Sequence, residues 1–204
     1  FISLLTSIII ILGFYFFKLQ YIEDFSIKYG VYLLLAVLSY ALIISSTRQI
    51  RAYKEFPCMS GMMIGMTIGM LSGVLSGFFV GATNGMFYGS VFGIIVGMIF
   101  GVWNGKCCGI MGIIEGMMAG FMGGLMGAMT SLMMLNDNLK AAGVILFIIS
   151  AVILIGLKFM IYKETREFER KHKDSNYFIV ILSAILTLVT IWIMIYGPRS
   201  VLFQ

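Results

Sequence analysis

The chain has 204 residues, of which 60% are hydrophobic and only 11% are charged. Soluble globular domains are about 45–50% apolar and roughly 25% charged, and a chain this short has no core large enough to bury so much apolar surface. The composition therefore excludes a soluble domain and predicts a membrane protein. The formal net charge of +5 comes largely from basic loops of the kind that orient membrane proteins, so it does not indicate a nucleic-acid partner.

Continuous apolar runs, long enough or nearly long enough to span a bilayer as helices, follow one another along the chain. They cover residues 2–19, 30–46, 58–80, 86–104, 109–135, 140–162 and 177–196. A transmembrane β-barrel would instead show segments of about ten residues with alternating polarity. We therefore predict an all-α polytopic membrane protein with about seven transmembrane helices.

The predicted helices form a single transmembrane domain over residues 1–197. The first span has no basic flank and no small-residue cleavage site within the sequence, so we expect a retained helix and not a signal peptide. Residues 198–204 end in Val-Leu-Phe-Gln, which is typical of the remnant of a viral 3C protease site, and they are excluded from the functional argument.

The loops between the predicted spans alternate in charge. Basic residues stand at 47–54, 105–108 and 163–174, whereas the loops at 81–85 and 137–140 carry no net charge. Because basic loops favour the cytoplasmic side, we expect an integral protein of the cell membrane with its N-terminus inside and its C-terminus outside. Acidic residues are interleaved through 163–174, which favours a solvated helix continuation over a headgroup or nucleic-acid patch.

Glycine recurs at every fourth position from Gly61 to Gly109, and a shifted series continues to Gly127. Four residues advance about 400° around a helix, so these glycines form one slowly drifting stripe. Small residues let backbones approach closely, which drives helix association in lipid. The pattern predicts a glycine-zipper central bundle of the third, fourth and fifth spans, over residues 57–135. It equally allows the stripe to contact a second copy or another membrane subunit.

Two repeats stand within the glycine series. Asn84-Gly85 and Asn104-Gly105 recur at a spacing of 20 residues, and Asn-Gly is a turn signal that we expect at the two ends of the fourth span. The segment 61–69 also resembles 116–124 in its Gly and Met positions. The two segments are candidates for copies of one helix, related by a parallel repeat.

Methionine is over-used, with 17 residues, nearly all between positions 59 and 134. On the predicted third and fifth spans they recur at steps of three and four, which places them on helical stripes. Thioether sulfur is a soft ligand that favours Cu(I) over hard cations, although methionine also fills irregular gaps beside glycine. The candidate metal ligands are Met59, Met62, Met63, Met66, Met111, Met118 and Met122.

The three cysteines extend this soft-ligand pattern. Cys58 opens the third span, and Cys107 and Cys108 lie between the fourth and fifth, all at predicted cytoplasmic ends. Free thiols are expected in the reducing cytosol, and Lys106 beside the pair would stabilise a thiolate. The alternative is that these cysteines serve as small apolar residues.

Met-x-x-x-Met at Met62, Met66 and Met70 stands beside Gly-x-x-x-Gly. This combination resembles the motif pair of the eukaryotic-type high-affinity copper transporters. The resemblance implies Cu(I) as cargo, and it covers these two short motifs in a family that has three spans. No other cofactor is indicated.

Glu115 is the only carboxylate between Glu55 and Asp137, and it stands within the predicted fifth span. Intramembrane carboxylates are expensive and commonly functional, so Glu115 is a candidate proton or cation site, with Asn84 and Asn104 as polar coupling residues. The alternative is a neutral Glu115 that bonds to an asparagine or to Thr83, or a pair with Lys106.

No hydrolase or transferase motif is present, so we expect no enzyme. Three hypotheses follow for a protein whose expected partner is the lipid bilayer. The first is transport or handling of a soft metal ion along methionine-lined helices. The second is a proton-coupled carrier or ion channel centred on Glu115. The third is a structural or assembly subunit that docks a larger membrane complex through the glycine series.

Overall fold

The computed structural model describes residues 30–51, 58–106, 109–134, 138–164 and 176–197. Within these ranges the chain forms six helices, and the predicted all-α class is confirmed. The helices are α1 (Gly30–Arg51), α2 (Cys58–Asn84), α3 (Met86–Gly105), α4 (Gly109–Met133), α5 (Leu139–Glu164) and α6 (Asn176–Tyr196).

Five of the described helices, α1 to α5, are long and apolar enough to cross a membrane, and α6 contains a shorter apolar stretch, Ile181–Met194. These six helices fall on the second to seventh predicted spans, although α1 and α2 continue about one turn further than predicted. The predicted first span, 2–19, lies outside the described residues, so the count of seven stays a prediction. The expected solvated continuation of α5 over 163–174 is described only as far as Glu164, and its remainder and the tail from residue 198 also lie outside the described residues.

Hydroxyl groups inside these apolar helices bond to their own backbone. Ser39 donates to the carbonyl of Ala36 at 2.6 Å, and Thr187 donates to that of Ser183 at 2.9 Å. A buried hydroxyl without an acceptor would cost free energy in an apolar surrounding. This local bonding allows serine and threonine to lie in long helices within a lipid-like environment.

The helices form two groups that share α2. Helices α2, α3 and α4 pack against one another far more extensively than any other pair, while α1, α5 and α6 each make smaller contacts with α2. Phe78 and Phe79 of α2 are fully buried in an edge-to-face pair with ring centroids 5.6 Å apart. Helix α4 makes its extensive contacts with α2 and α3, and no other described helix covers its outer side.

Glycines of α2, α3 and α4 meet in layers along a common line, here called the glycine axis. Each layer takes one small residue from each helix, in the order α2, α3, α4. The layers are Gly65–Gly105–Gly112, Gly69–Gly101–Gly116, Gly73–Gly97–Gly120, Gly77–Gly93–Gly124 and Gly81–Gly89–Ala128. A Cβ on Gly93 would lie 2.8 Å from the Cα of Gly77 and 2.9 Å from that of Gly124. The three helices therefore touch through their backbones.

The layers also fix the helix directions. Residue numbers rise together in α2 and α4 and fall in α3, so α2 and α4 run parallel and α3 runs against both. The predicted repeat aligns 61–69 with 116–124, but the layers place Gly69 beside Gly116 and Gly77 beside Gly124. The two similar segments thus differ in depth by two layers, which a simple rotation about the axis would not produce.

Two glycines adopt positive φ at the ends of α3. Gly85, with φ 94° and ψ 169°, is the single non-helical residue between α2 and α3, as the Asn84-Gly85 signal predicts. At the other end Gly105 is the last helical residue of α3 and belongs to a layer, while Gly109, with φ 69°, begins α4. Among the described residues of this second connection, the one with positive φ is Gly109, four positions after Gly105 of the Asn-Gly pair.

Candidate functional site

Most methionines of α2 and α4 point away from the glycine axis. Because the glycines occupy the inner phase of each helix, residues at the opposite phase face outward. The exposed fractions of Met63 and Met118 are 55% and 57%, and Met62 is only partly buried. We call the outward set the methionine face. It consists of Met59, Met63, Met66, Met70, Met111, Met117, Met118, Met122, Met126, Met129 and Met133.

Helix α5 provides an internal comparison, because its outer side is exposed to the same extent without methionine. The large exposed side chains of α5 are Val144, Ile145, Ile148, Ile149, Val152, Ile153, Ile155, Phe159 and Tyr162. Met194 of α6, by contrast, is 3% exposed and belongs to the core. Backbone contacts close the glycine axis, and the exposed methionines of α2 and α4 lie outside it.

The α2 and α4 parts of the methionine face adjoin at the seam between these two helices. Gly123 of α4 lies against the backbone of Met70, and Gly127 lies against the backbone of Val74. Met122 and Met126 precede these two glycines and are exposed. The seam thus carries thioether side chains from two parallel helices at its outer edge.

Cys58 lies at one end of the three-helix bundle. The layer Gly65–Gly105–Gly112 brings the start of α2, the end of α3 and the start of α4 to the same end. Cys58 is the first residue of α2, while Cys107 and Cys108 lie outside the described residues. Within the described ranges, no three His, Cys, Asp or Glu residues are grouped closely enough to hold a metal ion. The predicted convergence of the cysteines stays a prediction.

Glu115 lies half-buried on α4, one residue before Gly116 of the second layer. No hydrogen bond or ion pair joins it to another residue of the described ranges. Thr83 and Asn84, two of its predicted partners, lie at the opposite end of the bundle, beyond the last layer. The Thr83 hydroxyl donates to Oδ1 of Asn84, whose Nδ2 donates to the carbonyl of Ile193 on α6. This polar pair therefore ties α2 to α6.

Asn104 and Lys106 lie at the same end of the bundle as Glu115. Asn104 is 2% exposed, and its Nδ2 donates to the carbonyl of Phe100 at 2.8 Å. Its Oδ1 has no donor among the residues described. Lys106 is exposed and makes no ion pair with Glu115. The structure thus brings Asn104 near this end but separates Asn84 from it by the length of the glycine axis.

A groove between α3 and α4 is absent from the predictions. It is an open cavity of about 490 Å³ lined by Met98, Ile99, Val102, Trp103, Lys106 and Met117. Sequence reasoning missed it because its walls come from two helices. The sequence did carry one signal for this site. Trp103 and Lys106 stand within one turn at the end of a predicted span, and both residue types favour the membrane interface.

The described residues thus present four features: the glycine axis, the methionine face, the carboxyl group of Glu115 and the groove between α3 and α4. A scan of protein-family models and searches of curated proteins and of solved structures found no match to this chain.

Proposed function

We propose that the chain carries a soft monovalent metal ion of the Cu(I) class across the membrane, with the methionine face supplying transient ligands. One observation carries the proposal. Eleven methionines of α2 and α4 face outward, while α5 presents Val, Ile and aromatic side chains with comparable exposure. If the outer surface needed only apolar character, branched aliphatic side chains would serve on all three helices.

Thioether chemistry explains why such a surface would suit movement of an ion. A neutral sulfur binds Cu(I) without the cost of burying a charged ligand. Met118, Met122, Met126 and Met129 rise along α4 about one turn apart, close to 5.4 Å, so an ion could pass between neighbouring weak sites. Sites with one or two thioethers exchange faster than a closed thiolate site.

The topology of the proposal follows from the loop charges. We propose a seven-span protein of the cell membrane whose N-terminus is cytoplasmic and whose C-terminus is outside. The end of the bundle at which α2 begins with Cys58 would then face the reducing cytosol. We propose that thiolates of Cys58, Cys107 and Cys108 receive or release the ion on that side. We further propose that the glycine axis acts as a glycine zipper that holds α2 and α4 parallel at a fixed spacing.

Replacing Met63, Met66, Met118 and Met122 together with leucine should lower Cu(I) uptake into proteoliposomes. Leucine keeps volume and apolarity, and such exchanges cost less than about 1.5 kcal/mol each. Loss of a residue that only supports a metal ligand lowers metal affinity or activity about tenfold or more. Loss of four ligands should therefore lower Cu(I) uptake by at least that factor. Uptake is measured in the presence of a reductant, which keeps copper as Cu(I). An impermeant Cu(I) chelator, added outside at the end of each measurement, removes the ion that has not entered.

A matched control carries four leucines on α5, at Ile148, Ile149, Val152 and Ile155, which are similarly exposed. Its uptake should equal that of the parent chain. If the methionine variant also takes up Cu(I) at the parent rate, the soft-metal proposal is wrong.

The runner-up is a proton-coupled carrier or channel centred on Glu115, favoured by the half-buried position of this lone carboxylate on an apolar helix. Glu115→Gln keeps the shape and removes the titratable group. Under this alternative the substitution abolishes proton flux in proteoliposomes with an entrapped pH-sensitive dye, and the leucine variant keeps it. Loss of Cu(I) uptake in the leucine variant, with proton flux absent from the parent chain, would contradict the alternative.

The third hypothesis, an assembly subunit, needs a free surface for its partner. The glycines of α2, α3 and α4 already contact one another, so a partner that used them would have to displace a helix. The mass of the purified complex, compared between parent and leucine variant, tests such a role independently of metal.

A further inference from the structure

The groove between α3 and α4 has apolar walls and one basic residue at its end. We propose that it binds an anionic phospholipid. An acyl chain would lie along Met98, Ile99, Val102 and Met117, and the phosphate would lie at the Lys106 ammonium. This proposal is independent of the metal-transport proposal, because Lys106 is no part of the methionine face and the groove shares only Met117 with it.

The dimensions and position of the groove fit this occupant. Its volume of about 490 Å³ is within the range of small-molecule sites, about 300–1,000 Å³, and it opens to the outside of the bundle, where lipid surrounds the chain. Trp103 lies at the same end and packs against Phe100, with ring centroids 6.4 Å apart. An indole at this level is typical of the headgroup region, where its polar edge meets water.

The charges favour an anion. Lys106 is exposed, and Glu115, the acidic residue of the described part of α3 and α4, does not line the groove. The C-terminus of α3 disfavours a nearby anion, but α4 begins at the same end, so the two helix dipoles largely offset each other. The Lys106 ammonium therefore makes the electrostatic potential at this end of the groove positive, and a phosphate group is a common partner of a lysine ammonium.

Native mass spectrometry of the full chain in detergent, titrated with phosphatidylglycerol and separately with phosphatidylcholine, tests the proposal. We expect the parent chain to bind phosphatidylglycerol more tightly. Lys106→Gln should weaken that binding about fivefold, the effect of one basic residue at a membrane surface, and should leave phosphatidylcholine binding unchanged. Ile99→Trp fills the groove and should weaken binding of both lipids.

Lys140→Gln is the matched control, because Lys140 is also exposed near a helix end and lies outside the groove; it should bind like the parent. Circular dichroism and gel filtration of each variant establish folding. Equal affinity of the parent chain for the two lipids, or unchanged phosphatidylglycerol binding by Lys106→Gln, would overturn the proposal. So would displacement of the lipid by millimolar inorganic phosphate, which would indicate an anion site without an acyl-chain groove.

Discussion

Replacing Gly97 with leucine should prevent formation of the three-helix bundle of α2, α3 and α4. A Cβ on Gly97 would lie 2.7 Å from the carbonyl oxygen of Gly120, 2.9 Å from its Cα and 3.0 Å from the Cα of Gly73. All three neighbours are backbone atoms, so no side chain can rotate away and whole helices must separate. Gly97→Ala alone should cost about 1–3 kcal/mol, as overpacking does elsewhere. Gel filtration in detergent and thermal unfolding measure both effects.

Gly156 on α5 is the matched control. Nothing lies within 4 Å of the position of its Cβ, so Gly156→Leu adds apolar surface without a collision. Removing a glycine from a helix interior stabilises it by up to about 1 kcal/mol, so the melting temperature should stay or rise. A Gly97→Leu chain that elutes and melts like the parent would contradict the layered packing.

Gly85→Ala should destabilise the fold by about 1–3 kcal/mol, the usual cost of holding a non-glycine residue in a backbone region that glycine alone populates. Gly85 has φ 94° and ψ 169° and alone reverses the chain between α2 and α3. Its N–H donates to the carbonyl of Gly81 at 3.1 Å, and its own carbonyl accepts from Gly89 at 3.0 Å. An alanine methyl group would meet nothing within 4 Å, so the cost would be conformational strain alone.

Thermal unfolding followed by tryptophan fluorescence measures this loss. Gly30→Ala is the control, because its Cβ also enters open space and its φ is not positive. The control should melt at the parent temperature. If Gly85→Ala melts there too, the turn is not strained for alanine.

The sequence was sufficient to predict which side of each central helix carries the glycines. It was not sufficient to predict which residues of neighbouring helices lie level with one another. The four-residue spacing places the glycines of α2, α3 and α4 on one side of each helix. A slip by four residues would present the same pattern, so Gly73 could equally have met Gly93 or Gly101. The one-residue connection at Gly85 settles the register, since it brings Gly81 beside Gly89.

The same limit applies to the candidate site. The outward position of Met63 and Met118 follows from helical phase, because each stands two residues, or about 200°, from the glycines on either side. The neighbours of Glu115 depend on depth as well, so Thr83 and Asn84 were proposed as partners although they lie at the far end of the bundle. The groove at Lys106 needs the relative positions of two helices, which no single-helix pattern contains.

Backbone contact at successive layers of the glycine axis leaves no room for a file of water between α2, α3 and α4 in the part of the chain that the structure describes. Bare ions need such water or substitute ligands to cross a bilayer. Any ion or proton that this bundle carries would therefore travel along its outer surface, against lipid or a neighbouring protein. The dehydration cost would be met there by the thioethers that face outward and by the half-buried carboxyl group of Glu115.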